Sequence, residues 1–291
     1  MFISDRRVRV SVLSILSNTA LIIFKVIAGI LSGSVSIVSE AIHSGMDLIA
    51  SMVAFLAVRE SAKPADKDHP YGHGKIENIS GIVEGLLIFV AAGMIIFKAV
   101  KKISEPAEIE QANIAIAVML ISAMINFFVS RKLYKVSQEE DSMALEADAL
   151  HLKTDVYTSL GVGAGILLMK LTGLFILDSI VAILVALLII KEAWELSKNA
   201  FDYLMDVRLS DEEEANIEKV IGEHSHQFID YHKLKTRKSG NMKHIDFHIT
   251  VDPQLTVKET HDIIGYMKKD MNEKFKNTRV NIHIDPYKEE E

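Results

Sequence analysis

The chain has 291 residues, of which 49% are hydrophobic and 24% charged, and its formal net charge at pH 7 is −7. It has no cysteine, which excludes disulfides and thiolate ligands and argues against a site for copper(I) or another very soft metal. No basic surface suited to nucleic acid is evident in the sequence. The mean hydropathy of +0.22 hides a division between long apolar runs up to about residue 200 and a charged remainder.

Six apolar runs in the first part of the chain are long enough for membrane helices, which need about 20 mostly apolar residues. They cover about 9–31, 37–58, 79–101, 111–131, 146–170 and 173–196. Basic residues precede the first run and follow the second and fourth, which places these ends in the cytoplasm. We predict a six-helix transmembrane domain over 1–206, in a multi-pass protein of the cell membrane with both termini cytoplasmic.

The remainder, 207–291, is predicted to be a small cytoplasmic α+β domain. Ser210, followed by acidic residues, predicts the N-terminus of one helix, and Thr256 predicts that of a second. Alternating residues predict three strands, at 229–238, 243–251 and 280–284. The predicted order is αββαβ.

The second and fifth apolar runs carry the same short pattern. His43 and Asp47 in one run, and His151 and Asp155 in the other, are four residues apart, so each pair lies on one helix face. Each ionisable residue in a spanning helix costs roughly 2.5–3.5 kcal/mol, so four of them indicate a function. Two imidazoles and two carboxylates are a ligand set that a divalent metal accepts readily, and that zinc takes as a tetrahedron.

The alternative for these residues is a hydrogen-bonded polar patch that ties two helices together. Each copy has an acid three residues before its histidine and a serine four residues after its aspartate, and this repetition favours the metal site. The accessory residues of the pattern are either groups supporting the site and its pathway or ordinary polar contacts. They are Glu40 and Ser51 in the first copy, and Asp148 and Ser159 in the second.

Two further clusters have metal-ligating residue types. The loop between the second and third runs contains Asp66, Asp68, His69 and His73, which form either a metal site or a polar loop. Most of the 11 histidines follow residue 220, a density that indicates metal binding by the tail. The tail candidates are His232, His248, His261, His283 and Asp285.

With these motifs the chain resembles the cation diffusion facilitators, which export zinc and manganese. The resemblance covers nearly the whole chain. It rests on the paired His-x-x-x-Asp patterns, on the loop sequence from His69 to Glu77, and on Ile282-His283-Ile284-Asp285-Pro286. It implies a homodimer with six membrane helices and a metallochaperone-like tail, which exchanges a cytoplasmic divalent cation for protons. It also implies that the protein is a transporter and not an enzyme.

The resemblance implies three metal sites. The transport site has His43, Asp47, His151 and Asp155 as ligands. The loop site has Asp66, His69 and His73, although Asp68 is an alternative to Asp66. The tail site binds two metals between two tails, through His232, His248, His261, His283 and Asp285.

The chemistry of the ligands favours Zn²⁺ as substrate and regulatory ion, with Mn²⁺, Fe²⁺ or Co²⁺ as the alternative. The short loops indicate a bacterial protein. A membrane metalloprotease is disfavoured because the sequence has no His-Glu-x-x-His motif. A passive channel is disfavoured because a four-ligand site would slow the exit of the ion. A metal receptor that signals through its tail without transport stays open.

Overall fold

The structure is a computed structural model that describes residues 5–32, 35–104, 112–172 and 176–288. The side chains of 32, 35–40, 42–43, 104, 112–115 and several residues between 162 and 178 also lie outside the described part. The chain divides into two compact units, Met1–Phe201 and Asp202–Glu291.

Long helices make up the first unit, and each of them has 27–30 residues. A helix of that length is roughly 40–45 Å long, more than the hydrocarbon thickness of a bilayer. They are α1 (Arg6–Ser32), α2 (Val35–Ser61), α3 (Lys75–Ser104), α4 (Ala112–Glu140), α5 (Met143–Thr172) and α6 (Ile176–Leu204). The predicted runs fall within these helices, except for residues 111 and 173–175, which lie outside the described part.

Three of these helices are long and apolar enough to cross a membrane within their described residues: Arg6–Leu31, Lys75–Ile103 and Ile116–Glu140. They belong to α1, α3 and α4, and for these helices the predicted spans are confirmed. The helices α2, α5 and α6 each include side chains outside the described part. That these three also cross the membrane stays a prediction.

A buried cluster of aliphatic side chains joins the helices of the first unit. Val58 on α2, Leu133 on α4 and Leu145 on α5 are all completely buried in it. Gly85 of α3 favours close approach to α6, because a Cβ atom there would meet the Ser197 hydroxyl oxygen and force that side chain to move. Small residues commonly allow such approach between membrane helices.

The second unit confirms the predicted αββαβ order. Its elements are α7 (Asp211–Glu223), β1 (Asp230–Ser239), β2 (Met242–Val251), α8 (Val257–Lys274) and β3 (Thr278–Pro286), with a short 3₁₀ turn at Ser225–Gln227. The strand order is β1-β2-β3, with β1 antiparallel and β3 parallel to β2. Capping boxes begin both helices at the predicted residues, Ser210 with Glu213 and Thr256 with Glu259.

Alternation along β2 separates an apolar face from a polar one. Ile245, Phe247 and Ile249 are buried and pack with Met267 and Met271 of α8. The residues between them, among them His248, lie on the opposite face of the strand because side chains alternate. The core therefore occupies one face of the sheet, and the other face is available for ligands.

Acidification should destabilise the tail in part through His244 on β2. Burial lowers the pKa of His244, and the nearby Arg237 and Arg279 lower it further. An unfolded histidine titrates near pH ~6.5, so below that pH the unfolded chain binds more protons than the folded tail. Stability is therefore lost as the pH falls from there towards the lower pKa of the folded state. Hydrogen exchange of tail amides in the full chain measures this loss, and His244→Gln should reduce it.

The exposed His226 provides the control for this experiment, because it is a histidine of the same unit that is not buried. His226→Gln should leave the pH dependence of tail protection as it is in the wild type. An equal loss of protection in His244→Gln and wild-type protein would contradict the prediction.

Candidate metal sites

Three of the four residues predicted for the transport site come together in the first unit. Asp47, His151 and Asp155 each offer a ligand atom, and these atoms lie within 4.8 Å of one another. The His151 Nε2 and Asp47 Oδ1 atoms are 3.2 Å apart, although the two residues are 104 positions apart in the sequence. The side chain of His43 lies outside the described part; its position in α2 is one turn before Asp47.

A cavity of about 290 Å³ adjoins this cluster and gives it room for an ion with water. Asp47 and Asp155 line the cavity, together with Ser159, another residue of the repeated pattern. Asn126 of α4 also lines it and donates a hydrogen bond to Asp155 Oδ2 at 3.3 Å. Lys25 reaches the same cavity, and its ammonium donates to Ser44 Oγ at 2.7 Å. The cluster therefore adjoins open space that is lined by polar side chains from several helices.

The accessory residues Ser51 and Asp148 are joined by a buried hydrogen-bond network. Ser51 Oγ donates to Asp148 Oδ1 at 3.0 Å, and Asn18 Nδ2 donates to Ser51 Oγ at 2.7 Å. Ser14 Oγ lies 3.0 Å from the same serine oxygen. The network therefore links α1, α2 and α5 next to the group of Asp47, His151 and Asp155. Glu40 has its side chain outside the described part.

Several residues of this region are absent from the sequence-based prediction. Ser14 and Asn18 are four residues apart on the apolar α1, and this helical spacing of polar residues was a usable signal. Asn126 and Lys25 are single polar residues in apolar helices. Nothing in their local sequence relates them to α2 or α5.

In the loop before α3, the structure groups Asp66 with His69 and His73, and their ligand atoms lie within 4.8 Å of one another. Each histidine is 3.3 Å from a different oxygen of the Asp66 carboxylate. The Asp66 carboxylate also accepts hydrogen bonds from the backbone N–H groups of His69 and Asp68. The N–H of His69 is the main reason that the pKa of Asp66 is lowered. This geometry favours Asp66 over Asp68 as the loop ligand.

Asp66→Ala should weaken metal binding by the loop by roughly 10- to 100-fold, because it removes a ligand and releases the turn that positions both histidines. Asp68→Ala is the matched control, since it removes a carboxylate from the same turn without touching the cluster. Calorimetric titration of the full-length protein with Zn²⁺ measures the change. Equal losses of affinity in the two variants would contradict the assignment.

Three histidines of the tail form a row across the sheet. His232 on β1, His248 on β2 and His283 on β3 are paired neighbours in the strand register. The ring centroids of His232 and His248 are 5.3 Å apart, and those of His248 and His283 are 4.5 Å apart. Asp285 completes the cluster on β3, where one of its oxygens lies 2.9 Å from His248 Nδ1 and 3.2 Å from His232 Nε2.

The pKa of Asp285 is lowered, which favours the carboxylate form that binds a divalent cation. The hydrogen bond with His248 lowers the pKa of Asp285, and the charge of His283 adds to the effect. His261 lies elsewhere within the chain: its side chain is 85% exposed and its nearest acidic partner is Asp262, at 3.9 Å. One copy of the chain thus brings together four of the five predicted tail residues.

Comparison with known proteins supplies the family. Residues 11–205 match the model of the cation efflux transmembrane domain, and residues 209–287 match that of the cation efflux protein cytoplasmic domain. The chain belongs to the cation efflux family. The resemblance to the cation diffusion facilitators is thereby confirmed, and with it a helical membrane domain followed by a cytoplasmic domain.

Relatives of this cation efflux protein match along almost their whole length. An uncharacterised transporter of Synechocystis sp. is 33% identical over 95% of this chain and 89% of its own. The manganese efflux system protein MneP of Bacillus subtilis is 29% identical, with 97% of each chain covered. The cation-efflux pump FieF of Shewanella oneidensis is 28% identical, over 94% of this chain and 92% of its own.

A solved structure described as CzrB, a candidate zinc transporter, is 26% identical and covers 28% of this chain and 99% of its own, with a TM-score of 0.27. Membership of this family decides between a transporter and a receptor without transport, the two classes that the sequence left open. This cation efflux protein is a membrane transporter of divalent cations and not an enzyme.

Proposed function

We propose that this cation efflux protein exports Zn²⁺ from the cytoplasm in exchange for protons, with His43, Asp47, His151 and Asp155 as the transport site. The observation that carries the proposal is the convergence of Asp47, His151 and Asp155 within 4.8 Å from two separate helices. Two carboxylates balance the charge of the ion, which reduces the penalty for burying it.

Exchange with protons follows from the contact between His151 and Asp47. His151 Nε2 lies 3.2 Å from Asp47 Oδ1, a distance at which the imidazole N–H donates a hydrogen bond to the carboxylate. A metal ion that uses both atoms must displace this proton. On the side with more protons the reverse reaction releases the metal. Alternating access of the site to the two sides of the membrane then gives antiport.

Zinc is proposed because a set of two imidazoles and two carboxylates suits its tetrahedral coordination. Mn²⁺ is the alternative, and Fe²⁺ and Co²⁺ are further ones, since waters in the adjoining cavity of about 290 Å³ can raise the coordination number. The names of the relatives support both choices, as MneP is named for manganese efflux and CzrB for zinc.

We propose that the protein works as a homodimer in the cell membrane of a bacterium, with both termini in the cytoplasm. Basic residues support this orientation: they lie before α1, between α2 and α3, and after α4. The proposed division is a transmembrane domain over 1–206 and a metal-binding dimerisation domain over 207–291. The separation into two compact units supports it. In a dimer, His261 would complete a tail site by joining the histidine row of the second copy.

Transport itself is tested with purified protein in proteoliposomes under a pH gradient, with Zn²⁺ and Mn²⁺ supplied separately. Zinc uptake that needs the gradient supports the full proposal. Uptake of Mn²⁺ alone would leave the mechanism standing and overturn the choice of metal. Uptake that does not respond to the gradient would overturn antiport, and the absence of uptake of either ion would overturn both choices of metal.

The tail site is proposed to sense metal and to adjust transport through linkage between the two domains. The double variant His283→Ala, Asp285→Ala removes two of the four clustered groups and should abolish the activation of transport by rising metal concentration. Initial rates across a range of Zn²⁺ concentrations measure this activation. His226→Ala is the control, because it removes an exposed histidine outside the cluster. Full activation of transport by metal in the double variant would rule out a sensor role for the tail site.

A further inference from the structure

A crevice between α4, α5 and α6 lies apart from the transport site proposed above. Its volume is about 730 Å³, within the range of about 300–1,000 Å³ that is typical of ligand pockets. Two contacts join its walls. Ser130 Oγ of α4 donates to the Ala149 carbonyl oxygen of α5 at 2.7 Å, and Lys153 of α5 pairs with Glu192 of α6 at 3.0 Å. All four residues line the crevice, so the three helices enclose one space.

One end of the crevice is apolar and open. Phe127 on α4 is 47% exposed, Leu160 on α5 is 52% exposed, and both line the crevice together with Val156. Phe127 belongs to the segment Ile116–Glu140, which is long and apolar enough to cross a membrane. The opening therefore lies at a depth where hydrocarbon chains surround the helix, and an acyl chain can enter there.

The other end of the crevice is charged. Arg131 on α4, Glu146 on α5 and Glu195 on α6 line it. Along α5, Glu146 and Leu160 are about 21 Å apart at a rise of about 1.5 Å per residue. The charged end lies where α4 approaches its end and α5 begins, towards the membrane surface. Charged and apolar side chains are thus separated along the helix axis, as the headgroup and acyl chains of a phospholipid are.

The charges at this end fit a headgroup that has a phosphate and a primary ammonium. Arg131 forms no ion pair within the described part of the chain, and a guanidinium binds phosphate through two parallel hydrogen bonds. Glu146 and Glu195 are acceptors for the three N–H donors of an ammonium. Glu195 also lies 3.8 Å from Lys191, in an exposed pair that solvent screens. The two acids disfavour a purely anionic headgroup, and choline has no N–H to donate.

We propose that the crevice binds one molecule of phosphatidylethanolamine, with its phosphate at Arg131, its ammonium at Glu146 and Glu195, and an acyl chain at the apolar end. Complementary charges of the lipid and the crevice make the binding specific for this headgroup. The inference does not depend on the proposed transport reaction, because the three clustered residues of the transport site lie outside the lining of the crevice.

The variant Arg131→Ala removes the phosphate contact and should weaken binding of the lipid about tenfold or more, the usual loss for a hydrogen bond to a charged group. Arg131 is exposed on α4 and alanine is a strong helix former, so the variant should fold. Lys132→Ala is the matched control, because it removes an exposed basic residue that is next in the sequence and does not line the crevice. The double variant Glu146→Gln, Glu195→Gln should retain phosphate binding and lose the preference for ethanolamine over choline.

Native mass spectrometry tests the inference with the full-length protein in detergent, titrated with phosphatidylethanolamine, phosphatidylcholine or phosphatidylglycerol. We expect one phosphatidylethanolamine to bind more tightly than the other lipids, and this preference to be lost in Arg131→Ala and kept in Lys132→Ala. Equal affinity of the wild type for the three lipids, tighter binding of phosphatidylglycerol, or equal losses in the two variants would overturn the inference. Loss of a dimer in place of the lipid in Arg131→Ala would overturn it too, and would indicate a helix of a second copy as the occupant.

Discussion

Proteoliposomes that contain Asp155→Ala should take up metal at least roughly 100-fold more slowly than those with wild-type protein. Removal of a group that merely supports a ligand already reduces metal affinity by about 10- to 100-fold, and Asp155 is a proposed ligand. The variant also leaves an excess positive charge when the ion binds at this buried site. Initial rates of Zn²⁺ uptake under a fixed pH gradient measure the effect.

Two further variants separate a ligand from a general effect on the domain. Asn126→Ala removes the hydrogen bond that Asn126 donates to Asp155 Oδ2, so it should reduce uptake by less than Asp155→Ala does. Glu192→Ala removes a carboxylate that is paired with Lys153 and does not line the cavity next to Asp155. It should leave uptake near the wild-type rate. Uptake by Asp155→Ala at the rate of Glu192→Ala would rule out Asp155 as a ligand.

Local spacing in the sequence was sufficient to predict that Asp47, His151 and Asp155 come together. His and Asp four residues apart share a helix face, and the same pattern in two helices implied that the faces meet. The structure brings Asp47 and His151 to 3.2 Å. The tail elements were also predictable, because capping residues and strand alternation are local signals.

Contacts set by packing between helices were not predictable in this way. Glu84 sits in an apolar stretch of α3, and nothing in its neighbourhood indicates that its side chain is completely buried. The metal ligand in the loop before α3 could not be predicted from local sequence either. Asp66 and Asp68 are equivalent by residue type, and the turn that directs the Asp66 carboxylate towards both histidines is seen only in three dimensions.

The histidine row of the tail depends on strand register, which the sequence alone left undetermined. His232, His248 and His283 become neighbours because β1 and β3 both pair with β2. A shift of one residue in either pairing would move a histidine to the core face. His261, by contrast, lies on α8 with an exposed side chain, so it is not part of the histidine row of its own chain.

Arg7→Ala should destabilise the helical domain by roughly 3–5 kcal/mol, the typical cost of removing one partner of a buried ion pair. The Arg7 guanidinium lies 2.7 Å from Glu77 Oε1, and the side chains of Arg7 and Glu77 are 9% and 0% exposed. Ser61 at the end of α2 and Ser142 before α5 both donate hydrogen bonds to the same carboxylate. Without Arg7, the charge of Glu77 keeps two hydroxyl donors but loses the cation that offsets its burial.

The preceding residue provides a control of the same type, because Arg6 is 44% exposed and pairs at the surface with Glu139 at 2.5 Å. Arg6→Ala should change the stability by about 1 kcal/mol or less, since solvent screens exposed pairs. Thermal unfolding of both variants in one detergent compares them. The double variant Arg7→Ala, Glu77→Ala should be more stable than Arg7→Ala alone, because it removes the uncompensated carboxylate. Equal melting temperatures for Arg6→Ala and Arg7→Ala would show that the ion pair does not hold these helix ends together.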